Sequence, residues 1–252
     1  MIIHYRNTFI KDIIRYGEFT MKKITILTIM LLTALTAYAA DEAGKVTGFE
    51  GKVLVYDSVS PRPADVTEKD TPVYMGGRVA TKRSSKALVS FVDGDAAALD
   101  ENSILTVEDQ SKYKPGEGKV VFSIKKRGQA SGVTVALTSA VIGVKGTKFL
   151  INTDEKGKNQ VYLKEGEIEV TALAGQFKKY NAVVMDEYEA YVRKMTGEYE
   201  DYLKKLQEEY VEYVKNFLME PGMAYSIDGN EVRKLEFTPE INKAFEILDE
   251  FK

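Results

Sequence analysis

The sequence predicts a mainly β fold that carries one long inserted α-helix and a short C-terminal helix. Three observations predict it. Between Gly44 and Leu173, runs of Val, Ile, Leu, Phe and Tyr alternate with Gly-, Pro-, Asn- and Asp-containing stretches, the mark of short strands and turns. From Ala182 to Met219 there is no Pro and a single Gly, and strong helix formers dominate. After Pro221-Gly222 the strand pattern returns, and Thr238-Pro239 then supplies an N-cap and a first-turn proline for a second helix.

Met21-Lys22-Lys23, the apolar run Ile24–Leu35 and Ala37-Tyr38-Ala39 form a basic region, an apolar core and a small-x-small cleavage site. Residues 21–39 are therefore expected to be a signal peptide. Residues 1–20 are expected to be an extension upstream of the true start at Met21. The apolar run is shorter than the ~20 residues a spanning helix needs, so no stable membrane span is expected after cleavage. The 252-residue chain has no Cys, which leaves neither a disulfide nor a lipid-bearing N-terminal thiol. A periplasmic or secreted protein is expected.

Next come the strands. Gly44–Tyr56 reads as a strand pair or a bent strand, and Asp57–Thr71, with Pro61 and Pro63, as a loop. Val73–Val79 and Lys86–Val107 give three or four strands with turns at Gly76-Gly77, Asp93-Gly94 and Asp100–Ser103. Lys112–Gly118 reads as a loop. Lys119–Lys125, Val133–Leu137, Val141–Ile151 and Gln160–Leu173 complete the first part of the β domain, residues 44–173.

Within it, Gly143, Gly146 and Gly166 interrupt apolar runs. Gly143-x-x-Gly146-Thr147-Lys148 lacks the spacing of a phosphate-binding loop, and Phe149-Leu150-Ile151 continues as a strand, so these glycines shape the backbone. Asp93-Gly94-Asp95 and Asp228-Gly229-Asn230 lack the terminal Glu of a calcium loop and read as hairpin turns.

The wording of these segments resembles the FecR domain family. Gly143-Val-Lys-Gly146-Thr147-Lys-Phe149 and Val161-Tyr-Leu-Lys-Glu165-Gly166-Glu-Ile168-Glu-Val170 resemble its core. Gly77–Thr81, Ala87–Gly94 and Leu99–Val107 resemble its first half. The resemblance covers roughly residues 44–172, with a closing hairpin at 223–237. It marks Gly143, Gly146, Thr147, Phe149, Glu165 and Gly166 as a structural motif. It implies an extracytoplasmic β-rich domain of the kind found in ferric-citrate-type signal relays and in stand-alone exported proteins. Guided by it, the β body is expected to be solenoid-like or a twisted multi-sheet body, with a jelly-roll-like sandwich as the alternative. Relay members of the family place a cytoplasmic sigma-factor-binding domain and a membrane span before the β domain. Only twenty residues precede the leader here, so a direct transmembrane relay is not expected.

Residues 182–219, the expected insertion, carry an eleven-residue repeat opened by Val184, Met195, Leu206 and Phe217. On a helix those positions share one stripe with Tyr188, Tyr191, Tyr199, Tyr202, Tyr210 and Tyr213, and an eleven-residue period keeps the stripe nearly straight. Tyr188, Tyr191, Met195, Tyr199, Tyr202, Leu206, Tyr210, Tyr213 and Phe217 are the expected partner-binding residues. The stripe packs on its own body, or meets another protein or a second copy in a coiled-coil contact, or lies on a membrane surface. In the C-terminal helix, 239–252, Ile241, Ala244, Phe245, Leu248 and Phe251 form an apolar face.

Composition narrows the chemistry. Removing residues 1–39 takes away five basic and two acidic side chains, so the formal charge of −3 becomes about −6. Such a chain is not expected to bind nucleic acid, and Lys125-Lys126-Arg127 reads as a solvated turn. The only His is His4, and Trp is absent. Without His or Cys the mature chain loses the common nucleophile–base pairs and the imidazole or thiolate metal sites. No cofactor, no metal and no catalytic residue is expected. The first reading is a non-catalytic exported binding or scaffold module in envelope signalling or assembly. A cell-wall glycan-associated module is the alternative, and an acid-pair hydrolase the third.

Overall fold

The computed structural model describes residues 41–58, 60, 62–126, 132–181 and 210–251. The chain divides into two units, Met1–Asp41 and Glu42–Lys252, and the architecture below is that of the second. Its strands in chain order are β1 (Glu42–Glu50), β2 (Val53–Tyr56), β3 (Ala64–Asp65), β4 (Thr71–Tyr74), β5 (Arg78–Thr81), β6 (Lys86–Phe91), β7 (Ala96–Leu99), β8 (Ile104–Asp109) and β9 (Lys112–Pro115). They continue with β10 (Gly118–Ser123), β11 (Val133–Ala136), β12 (Ala140–Thr153), β13 (Asn159–Ala172), β14 (Phe177–Asn181), β15 (Tyr210–Val214), β16 (Asn216–Met219), β17 (Ala224–Asp228) and β18 (Glu231–Lys234). A short helix α1 (Pro239–Ala244) runs into a 3-10 turn at Phe245–Leu248. Among the described residues no helix is long and apolar enough to cross a membrane.

The spine is the hairpin of β12 and β13, paired from Ala140↔Ala172 to Thr153↔Asn159. Its turn is held by Asp154, whose Oδ1 accepts the N–H groups of Lys156 and Lys158, both at 2.9 Å. Each half of the hairpin carries its own run of strands. The half near the turn continues through β10, β7, β6, β1 and β4 on one side, and through β17, β18, β14 and β15 on the other. The half near Ala140 continues through β11, β9, β8, β5, β2 and β3 on one side, and through β16 on the other.

The described strands thus form one continuous sheet, curled as a half-barrel. This corrects both expected architectures. The body is neither solenoid-like or multi-sheet nor a jelly-roll-like sandwich, because a bent hairpin joins the runs without a break.

The curl brings the inner faces of the two runs together. Tyr113 of β9 is fully buried, stacks on Phe91 of β6 at 4.4 Å, and lies 6.0 Å from Phe122 of β10, which stacks on Phe149 of β12 at 5.0 Å. Such ring pairs add to the burial of a large apolar area. Lys112–Pro115 was expected as a loop. It is a strand because Tyr113 and Pro115 alternate inward between Lys112 and Lys114.

The long inserted helix is also corrected. Tyr210–Val214 pair residue by residue with Asn181–Phe177, and Asn216–Met219 pair with Thr171–Ile168. Phe217 and Met219 are buried while Leu218 is 56% exposed, a period of two rather than 3.6. The helical elements among the described residues are only α1 and the turn that follows it. The remainder of the expected insertion, 182–209, lies outside the described residues.

Outside the curl, Leu88, Ala98, Val121, Leu150, Tyr162 and Ala224 form a second apolar cluster with Phe245, Ile247 and Leu248. Thr238 stands at the N-cap of α1 with Pro239 behind it, but its hydroxyl makes no capping hydrogen bond.

Candidate functional site

The glycine motif bends the hairpin. In β12, Ala140, Ile142 and Val144 point inward, and beyond the bend Phe149 and Ile151 do. In β13, Val161 and Leu163 point inward before the bend, Ile168 and Val170 after it. The inward parity therefore switches in both strands, as a bulge requires when side chains alternate. The register shifts between Lys145 and Phe149 accomplish this.

Gly146 and Gly166 stand at the switch with φ of +66° and +87°. A Cβ on Gly166 would lie 2.5 Å from both the Gly146 carbonyl oxygen and Thr147 Cγ2, and one on Gly146 would lie 2.9 Å from the Lys126 backbone. Both positions thus require glycine on two grounds, conformation and space. Thr147 is buried at this point, and its hydroxyl has no hydrogen-bond partner among the described residues. Phe149 is fully buried. Glu165 faces Lys148 across the ladder at 3.4 Å, both exposed enough to add little stability. Gly143 pairs with Glu169, and a side chain there would meet almost nothing. Gly146, Thr147, Glu165 and Gly166 thus lie at the bend, Phe149 anchors it in the core, and Gly143 sits in the regular ladder before it.

Of the expected partner-binding residues, Tyr188, Tyr191, Met195, Tyr199, Tyr202 and Leu206 lie outside the described residues. Tyr210 opens β15 opposite Asn181. Tyr213 is 64% exposed. Phe217 is buried, edge-on to Phe177 at 5.6 Å and to Tyr225 at 5.1 Å. The helical stripe as an interface is therefore corrected at its C-terminal end, where Phe217 belongs to the core and Tyr213 to the surface.

The structure instead assembles a face on β18, β14 and β15. Lys178 and Tyr180 alternate outward from β14 because Phe177 is anchored inside. Lys178 lies opposite Glu231 of β18 and Tyr213 of β15, and Tyr180 lies opposite Arg233 and Val211. The Arg233 guanidinium sits 3.8 Å over the Tyr180 ring, and Lys178 Nζ is 5.0 Å from the same ring. The Tyr180 hydroxyl donates to Glu231 Oε1 at 3.2 Å and holds the Lys178 ammonium above its ordinary range. β15 has one hydrogen-bonded neighbour, β14, among the described residues. Among the described residues the face thus combines tyrosine rings and their hydroxyls with a stacked guanidinium and a strand edge. These features suit recognition of a protein. Of these residues the sequence pointed to Tyr213, and not to Tyr180, Arg233 or Lys178. Their signal was the alternation Phe177-Lys-Lys-Tyr180 beside the hairpin turn Asp228–Asn230.

Glu101, Glu117, Asp154 and Glu155 line an opening of about 470 Å³, all four exposed. Glu101 accepts the Ser84 N–H, and Asp154 holds its own turn. Among the described residues no group of three or more carboxylates converges in a way that could hold a metal ion.

Residues 77–176 match the family model described as FecR protein, so the resemblance read in the sequence holds over that segment. Two crystal structures of a proposed anti-sigma factor from Parabacteroides distasonis ATCC 8503, at 1.65 Å and 2.50 Å, are similar at 12% identity with a TM-score of 0.44. The similarity covers 67% of this chain and 63% of that one, so the chain spans less than two thirds of the solved protein. No curated protein matches the chain.

Proposed function

We propose that this chain, with its FecR match over residues 77–176, is an exported, non-catalytic protein-recognition module in envelope signalling. The observation that carries the reading is the face built by Lys178, Tyr180, Tyr213 and Arg233. All four lie outside the family-matched segment, on strands added to its sheet. The matched segment supplies the bent hairpin and its core, a frame on which different surfaces can be mounted. Tyrosine and arginine are the residue types that dominate binding energy at interfaces, and here one is stacked on the other before any partner arrives. Export is supported by the signal-like segment 21–39.

A photo-crosslinking residue at Tyr213 in the native host tests the reading. A discrete adduct is expected that is lost on Tyr180→Ala with Arg233→Ala, while the same probe at exposed Val92 gives none. Identical adducts at both positions would overturn the binding face. Export is checked by N-terminal sequencing, with Ala40 expected as the first residue of protein from the envelope or the medium. A cytosolic protein retaining Met21 would overturn it.

A further inference from the structure

We infer that the groove between the C-terminal helical turn and the outer face of the sheet captures the free C-terminus of a peptide ending in an apolar residue. The site is separate from the face on β18, β14 and β15. Across the outer face, Leu88, Ala98, Val121, Leu150 and Tyr162 are successive cross-strand neighbours, and the helical turn covers them with Phe245 and Leu248. Two residues along the same strands the row reads Ser90, Ala96, Ser123 and Lys148, again as direct neighbours. Short side chains there leave a space of about 220 Å³ beside Phe245, Leu248 and Asp249, with Lys148 and Lys164 at one end.

The groove has fixed walls. Phe251 lies against Gly48 so closely that a Cβ on Gly48 would be 2.5 Å from it. Lys86 Nζ meets the Glu250 carboxylate at 2.7 Å. On the other side Phe237 stacks on Phe245 at 6.2 Å. The helical turn is thus pinned at both ends, and the space exists before a ligand arrives.

Size and charge name the occupant. Ordinary small-molecule sites begin near ~300 Å³, so this groove takes one side chain rather than a cofactor or a chain passing through. Its floor is apolar at Leu88, Phe245 and Leu248. Lys164 Nζ lies 5.1 Å from the Phe245 ring centroid and has no carboxylate partner among the described residues. Lys148 has only the exposed Glu165 at 3.4 Å. Asp249, on the helical side, leaves the lining with a net charge of +1. A C-terminal Leu or Phe presents an apolar side chain and a carboxylate from the same Cα, which matches an apolar floor with two ammonium groups at one end. An internal Asp or Glu puts its carboxylate on its own side chain and leaves the floor empty.

The test uses the mature chain and an N-acetylated tetrapeptide ending in Leu, as free acid and as amide, followed by titration of backbone amide NMR shifts. Saturable shifts at Ser90, Ala96 and Ser123 are expected with the acid, and the amide should bind at least about tenfold more weakly. Lys164→Gln should weaken the acid several-fold without changing the affinity for the amide. Ala96→Leu should block both forms, and its melting temperature checks that it folds. Equal binding of acid and amide, shifts centred elsewhere, or no binding at millimolar acid would each overturn the assignment.

Discussion

The inner and outer faces of the sheet are built from alternate residues of the same strands, yet they are closed by different means. In β10, Val120 and Phe122 enter the inner cluster while Val121 enters the outer one. The inner cluster is closed by the sheet itself, curled until Tyr113 of one run stacks on Phe91 of the other. The outer cluster is a single apolar row, closed by a ten-residue helical segment at the end of the chain. Loss of the inner cluster therefore requires opening the sheet, whereas the outer one is lost when the helical segment lifts away.

The largest effect that separates the two faces is expected from Phe149→Ala. Phe149 is fully buried and stacked on Phe122. Its truncation leaves a cavity that the curled sheet cannot collapse into, costing about 3–5 kcal/mol in urea denaturation. Phe245→Ala should cost less, about 1–3 kcal/mol, although Phe245 is also buried at 3% exposure. Its cost is capped by the docking energy of the segment that carries it. Hydrogen exchange should quicken at 239–251 and at Tyr162 in this variant, and stay slow at Val120, Phe122 and Ile151. Equal losses in the two variants, with exchange raised everywhere, would show that both faces unfold as one unit and would break the comparison.

Most strands were legible in the sequence because one face of each is buried, so apolar residues alternate or run together. The bent hairpin was legible for a second reason, since Gly146 and Gly166 mark where its alternation slips. Lys112–Pro115 escaped because the inward pair is Tyr113 and a Pro, a residue that argues against a strand, between two Lys. Residues 210–219 misled because Tyr210, Tyr213, Val214 and Phe217 satisfy a helical stripe although the segment is a strand pair. What decided between them was pairing with β14 and β13, strands that begin 33 and 57 residues upstream of their partners. The face on β18, β14 and β15 was only partly legible for the same reason. Tyr180 and Arg233 are 53 positions apart, and only the parallel pairing of β14 with β18 puts one ring under the other's guanidinium.

The smallest expected effect tests the pin that holds the outer cover in place. Lys86 and Glu250 meet at 2.7 Å, with 33% and 41% of their side chains exposed, so Lys86→Gln should cost less than about 1 kcal/mol at pH 7. The hydrogen bond to Glu250 holds the Lys86 ammonium above its ordinary value, with burial pulling the other way. A raised folded-state pKa means that this contribution is whole below about pH 10.5 and is lost as the pH climbs through the raised value. Burial also raises the hydroxyls of Tyr162 and Tyr225, so the parent protein should weaken above about pH 10 for a separate reason, as the unfolded chain ionises first. That loss is common to parent and variant and cancels in their difference. Urea denaturation of both at pH 7 and pH 11 should therefore show two falling stabilities and a shrinking gap. A gap that stays constant would mean that Phe251 against Gly48, rather than the ion pair, holds the cover down.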